Sequence, residues 1–283
     1  MKNKSRLMIS LYIVVFILVI VLILLFLFLY KTLTNNKEKN PKITYKKIVK
    51  KYDIKDIDTL YFDFKNYDIT YLSTKESKLI IKQSGKANKM LIDKKKEKNK
   101  LTIKEPVSNI FDKKTYMIYI PNTYKGKIKI DNGFGNVSIM NLESIYLDNN
   151  SGNIKIKNIS ELIIKNVSGN VNITGELNKI KGTSTIGGIT IEKLIGSCKI
   201  DTITGDVLIK NFLINSTSMI STTSGDISIK VDKKSDCKFL YYNRDENNIT
   251  NKKCLNGKNE LRLENVTGII NIRWWLFMII CYN

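Results

Sequence analysis

Six glycines, Gly135, Gly152, Gly169, Gly187, Gly205 and Gly225, stand 17, 17, 18, 18 and 20 residues apart, and the same short phrase follows each of them. Val137 and Ile139 follow the first. Ile154 and Ile156, Val171 and Ile173, Ile189 and Ile191, Val207 and Ile209, and Ile227 and Ile229 follow the others. Apolar and polar residues in strict alternation mark a strand with one buried face. A third apolar residue comes next in most repeats, as Leu142, Ile159, Leu177, Leu194 and Phe212. A weaker return strand carries Ile145 with Leu147, Leu162 with Ile164, Ile180, Cys198 with Ile200, and Ile220. Such a period is too short for a propeller blade or a helical repeat. It suits one coil of a solenoid, stacked on the last at the inter-strand spacing of about 4.8 Å. The expected fold is therefore all-β, a single-stranded parallel β-solenoid. One phrase cannot bury its apolar stripe, whereas a stack of phrases lines it into continuous internal ladders.

The repeated glycines, with Gly268 in the same register further on, are expected to be structural turn residues, supported by Ser or Thr before them and Asn or Asp after. Proline does not occur after Pro121, as strands that donate ladder hydrogen bonds require. The rhythm stops after Val231 and resumes at Leu261, which predicts an insertion over about 232–259. Upstream, "TLYFDF", "YDITYLS", "KLIIKQSG", "NKLTIKE" and "TYMIYIP" read as earlier, less regular coils. The solenoid is thus expected to run over 53–273. An apolar tail at 274–283, too short to span a bilayer, reads as an end cap or an accident of the reading frame.

Leu7 to Tyr30 carries no charge. As a helix it would be roughly 36 Å long, enough to cross a hydrocarbon core of about 30 Å. No small-residue cleavage site follows, so a retained signal anchor is expected at 7–30, with a short head at 1–6 and a basic linker at 31–52. A brief basic head before a long tail favours a cytoplasmic N-terminus, an extracytoplasmic C-terminal domain and a single pass of the cell membrane.

The net charge is +21, almost all of it from lysine; arginine occurs only at Arg6, Arg244, Arg262 and Arg273. Bidentate readout of nucleic acid leans on arginine, so this surface argues against a nucleic-acid partner and for a general attraction to anions. Histidine is absent, which removes the Ser-His-Asp and Cys-His arrangements and the commonest metal ligand. No cofactor, metal or catalytic residue is expected. Asn136, Asn153, Asn170, Asp206 and Asp226 share one corner and could suggest a calcium ladder, but only two carry charge and they read as turn residues. Of four cysteines, Cys237 and Cys254 flank the insertion and form a candidate disulfide, with free thiols the equal alternative.

From "YMIYIPNTYKGKIKIDNGFGNVSIMNL" through the Ser/Thr-Gly-Asn/Asp turns that follow, residues 53–273 resemble the bacterial putative-adhesin domain, a β-solenoid family otherwise called a domain of unknown function. The resemblance implies an envelope protein, often anchored by one N-terminal helix, and brings no catalytic motif. The aromatic tail departs from that pattern. The expected function is a non-enzymatic, membrane-anchored, adhesin-like module. Its expected partner is an anionic wall polymer or a membrane protein. An accessory or sensory subunit of an envelope-stress system comes second, and a wall-polysaccharide hydrolase third.

Overall fold

The structure is a computed structural model that describes residues 46–85, 92–105, 114–243, 257–273 and 278–281. The expected head at 1–6, anchor at 7–30 and most of the 31–52 linker lie outside the described residues, as does Cys254. Every regular element described is a strand, and all pair into one continuous sheet that winds on itself.

The regular centre is built from β9 (Val137–Ser151), β10 (Ile154–Ser168), β11 (Val171–Ile186) and β12 (Ile189–Thr204), each parallel to the next. Each is a long strand bent in the middle, so its first half lies in one flat sheet and its second half in another. The bend falls at Asn141 in β9 and Asn158 in β10, which take φ values of 57° and 53°, and at Gly175 in β11, with φ 79°. Asparagine tolerates this left-handed backbone better than other residues with a Cβ. The Asn158 amide donates to Asn141 Oδ1 at 2.9 Å, tying successive bends together. The sheet holding the second halves is called face A here, and the one holding the first halves face B.

The inward residues are those the periodicity marks. Val137, Ile139, Leu147, Ile154, Val171, Ile173, Ile189, Ile191 and Ile200 are essentially inaccessible to solvent. The third apolar site is the plug of the bend: Leu142, Ile159, Leu177, Leu194 and Phe212 are all buried. Aligned identical side chains bury about 25 cal/mol of stabilisation per Å² of apolar surface, repeated at every layer.

Downstream the faces separate into shorter strands. β13 (Val207–Ile214) and β15 (Ile227–Val231) continue face B, while β14 (Ser218–Ser224) continues face A. In the insertion, β16 (Cys237–Asn243) lies in face A, one layer beyond β17 (Asn259–Thr267), which itself pairs with β14. β18 (Ile270–Arg273) then extends face B, and β19 (Met278–Cys281), in the expected tail, pairs antiparallel with it.

The upstream strands join the same stack but not in chain order. β2 (Thr59–Phe64) and β3 (Asp68–Thr74) form the layer next to β8 (Lys127–Phe134) and β9. The later strands β6 (Lys100–Lys104) and β7 (Lys114–Pro121) lie outside that layer, parallel to β2 and β3. Antiparallel strands close this end: β4 (Leu79–Gly85) on β7, β5 (Asp93–Glu97) on β6, and β1 (Lys46–Tyr52) on β4. β1 falls within the range expected as linker, 31–52, and is a strand of the stack. Its lysines masked the alternation by which Ile48 and Tyr52 turn toward the core.

Cys198 is buried on face A of β12, and burial pushes its thiol up to about 12. Tyr71 and Tyr116, also buried, move in the same direction. The unfolded chain releases the Cys198 proton from near its ordinary 9.0, while the folded chain holds it to about 12. Stability is therefore full below pH 9 and falls as pH rises through that window. Between pH 8 and 10.5 the loss from this thiol is expected to be about 1–2 kcal/mol, read from urea midpoints. Cys198 should also resist alkylation at pH 8 until the chain unfolds.

Candidate functional site

The corner that joins face A to face B in every layer holds the glycines. Gly135, Gly152, Gly169, Gly187, Gly205, Gly225 and Gly268 have φ between 112° and 144°, and each stacks on the one before. A Cβ on Gly205 would lie 2.5 Å from the Gly187 carbonyl oxygen, so glycine is required for space as well as conformation.

Three residues before each glycine runs a buried polar ladder. The Asn132 amide donates to Gly135 O at 3.0 Å and to Asn149 Oδ1 at 2.7 Å. Asn149 donates to Gly152 O at 3.2 Å and to Asn166 Oδ1 at 2.7 Å. Asn166 donates to Gly169 O at 2.6 Å and to Ser184 Oγ at 3.2 Å. Ser184 and Thr202 donate to the carbonyls of Gly187 and Gly205 at 3.0 and 3.3 Å. Buried carbonyls at a turn need partners, and this ladder supplies them. Sequence reasoning passed over these residues, although a short polar residue at the third position before every turn glycine was there to be read.

The outer corner residues have a different job. Asn136 Oδ1 accepts the Asn153 N–H at 3.0 Å, Asn153 Oδ1 the Asn170 N–H at 3.0 Å, and Asn170 Oδ1 the Gly188 N–H at 3.0 Å. Asp206 and Asp226 likewise accept the N–H groups of Asp226 and Ile269, both at 2.8 Å. These oxygens join one layer to the next. Among the described residues, no group of three or more Cys, Asp or Glu is placed to hold a metal. Cys237 is buried in β16, its thiol pushed up to about 11 by burial.

The two faces differ in charge. On face A, Asp63, Asp131 and Asp148 align in register over three layers. Like charges at that spacing repel, and neighbours offset them: Lys65 Nζ lies 2.6 Å and Lys104 Nζ 3.6 Å from the Asp63 carboxylate. Tyr61 donates its hydroxyl to Asp131 Oδ2. Burial first, and then that bond and the Asp131 charge, raise the Tyr61 pKa. Further along, Lys165 sits opposite Asp148, and Arg262 Nε is 2.6 Å from Glu264 Oε1. Face A mixes both signs.

On the outer side of face B the charged residues are mostly basic, set among neutral ones such as Ser138, Asn172, Thr190 and Ser228. Lys155 and Lys157 project from β10, and Lys210, Lys230 and Arg273 from three successive layers. Lys230 pairs with Arg273, and Lys210 follows Ile209, the partner of Ile229. Glu192, the acid on this face of β12, turns its carboxylate to the Gly175 N–H at 2.8 Å. A shallow groove of about 310 Å³ runs across the column, lined by Leu208, Lys210, Ser228, Lys230, Asn271 and Arg273. The Asn271 amide oxygen is buried there without a partner.

These features define a β-solenoid domain with two flat faces, one of mixed charge and one cationic. The chain belongs to the Toastrack DUF4097 family, whose profile matches residues 57–272. No curated protein matches it. Among solved structures it is similar to a "putative adhesin" from Bacteroides fragilis NCTC 9343, at 18% identity and a TM-score of 0.48, over 78% of this chain and 97% of that one. A "putative adhesin" from Parabacteroides distasonis ATCC 8503 is similar at 16% identity and a TM-score of 0.47, over 82% and 94%. A "putative cell adhesion protein" from Clostridium sporogenes ATCC 15579 gives 15% and 0.31, over 82% and 100%.

Proposed function

We propose that this chain is a cell-envelope module, held in the membrane by residues 7–30 with its N-terminus in the cytoplasm, whose extracytoplasmic solenoid binds an anionic wall polymer along face B. The observation that carries this reading is the column Lys210, Lys230 and Arg273, three cations in consecutive layers, where the one acid beside them, Glu192 next to Lys210, gives its carboxylate to the Gly175 N–H. A flat ladder of this kind presents charge at a repeating interval, which matches a polymer with a repeating anionic unit better than a single small ligand.

The test is a titration of the full chain, in a zwitterionic detergent, with a poly(glycerol phosphate) polymer. Binding should persist at about 0.15 M salt, where the Debye length is about 8 Å. The triple variant K210Q/K230Q/R273Q should weaken it by about tenfold or more, and K165Q/K181Q/K199Q on face A by much less. Loss of all binding at that salt would reduce the charge to a diffuse effect and sink the proposal.

Exposed apolar residues beside the glycine corner, Val167, Ile186 and Ile203, favour a second reading, an accessory subunit meeting a membrane protein. Chemical crosslinking from that corner in intact membranes separates the two.

A further inference from the structure

At the end built by β1 and β5, the last inward-facing positions are not filled by apolar residues alone. Ile48, Tyr52 and Ile92 pack on the core, but between them the inward registers are taken by lysine. Lys50 pairs with Ile81, Lys94 with Ile103 and Lys96 with Leu101, partners whose side chains are buried. All three lysines are exposed. Their stems therefore start over the end of the core, and among the described residues their ammonium groups reach past it. Lys94 Nζ lies 5.1 Å from the centre of the Tyr52 ring, which brings the two edge strands together across that end. Lys47 and Lys98 add exposed charge beside them. Lys51 and Lys95 are paired with Glu76 and Glu97. The result is a small apolar disc with tyrosine and a crown of lysine heads.

Edge lysines also serve to keep sheets from pairing edge to edge. That role explains charge on an edge, but it does not explain an apolar disc left at the centre of the crown. The chain itself supplies the second consideration. Only 15 residues separate Tyr30 from Lys46, a stretch that can reach at most about 50 Å when fully extended. Residues 7–30 are the segment expected to cross the membrane, so this end is the one the linker keeps near the bilayer. A surface of lysine heads around tyrosine and aliphatic groups fits an anionic headgroup layer, where each lysine near the surface contributes about 1 kcal/mol and tyrosine suits the interface.

We infer that the β1–β5 end of the solenoid is a docking surface for anionic lipid, which stands the solenoid on the membrane and leaves face B free. This rests on the anchored reading given above.

The test is hydrogen exchange on the full chain in lipid nanodiscs. One set is purely zwitterionic and the other contains about 30% phosphatidylglycerol, at low salt. Incorporation into the zwitterionic discs checks the anchor by itself, and failure there removes the anchored reading. Given incorporation, the amides of β1 and β5 should exchange about fivefold or more slowly in the anionic discs, with the difference lost near 0.5 M salt. In the variant K47Q/K50Q/K94Q/K96Q that difference should disappear, while β10 and β11 keep their protection. Equal exchange in the two lipids overturns the inference while leaving the anchor standing. So does a lipid effect that the variant retains, or protection of β1 and β5 produced in zwitterionic discs by added poly(glycerol phosphate) alone. The comparison of lipids uses the native chain, so it holds whether or not the variant folds.

Discussion

Replacing Gly169 with alanine is expected to lower the stability of the solenoid by about 3–5 kcal/mol, among the largest effects a single methyl group produces. Gly169 has a φ of 112°, which alone costs a residue with a Cβ about 1–3 kcal/mol. The added carbon would also run into the backbone carbonyl of Gly152, one layer down, and backbone there has nowhere to move. The neighbouring corner sits on both sides: Gly152 N–H donates to Ser168 O at 3.2 Å and Gly169 N–H to Ile186 O at 3.0 Å. A shift at one layer is therefore passed to the next. Gly182 provides the contrast. Its φ is ordinary, and a Cβ there would meet a methyl of Ile164 at 3.2 Å. Gly182→Ala should change stability by no more than about 1 kcal/mol. Urea unfolding of the two variants side by side checks the pair of expectations, and equal losses would mean that the corner is not the stiff element described.

Asn149→Ala is the second large effect, expected at about 3–4 kcal/mol. Asn149 is wholly buried, and its amide accepts one hydrogen bond and donates two within the corner ladder. Removing it orphans the carbonyl of Gly152 and one side-chain oxygen of Asn166, and takes the acceptor from Asn132. Each unpaired buried group costs about 1–3 kcal/mol. Serine at this position should recover part of the loss, since Ser184 already serves the equivalent carbonyl in its own layer. On the outer ladder, Asn153→Ala removes one acceptor at an exposed position, where water replaces it. A loss of about 0.5–1 kcal/mol is expected there. Thermal unfolding of the three variants orders them. A large loss from the outer residue and a small one from the inner would reverse the roles assigned to the two ladders.

Much of this fold is legible in the sequence because its repeat is physical. Val171 and Ile173 must point the same way as Ile154 and Ile156, since a strand's period is two and the layers are in register. What could not be read lies where the chain leaves that rule. The alternation in Lys46–Tyr52 is written in lysine, so a strand looked like a spacer. The placement of β6 and β7 outside β2 and β3 depends on which edges remain open after the centre has stacked, and no local pattern encodes it. The basic column was within reach, since Lys210, Lys230 and Arg273 each stand five residues after a turn glycine, Gly205, Gly225 and Gly268, although the insertion puts 43 residues between the last two cations. The buried Asn149 ladder was within reach too. Its residues fall at a constant offset from the glycines, but short polar residues near a turn are usually taken for surface.

The change along that ladder, from Asn132, Asn149 and Asn166 to Ser184, Thr202 and Thr222 and back to Asn265, has a consequence for how the chain finds its arrangement. Near-identical rungs invite a slip, in which one rung pairs with its neighbour's neighbour and the whole stack shifts by a step. An amide chain can only continue onto another amide or end on a hydroxyl, so a shifted stack would set asparagine against the wrong partner deep in the corner. The ladder thus acts as a ruler with unequal marks, and the chain can count its own rungs.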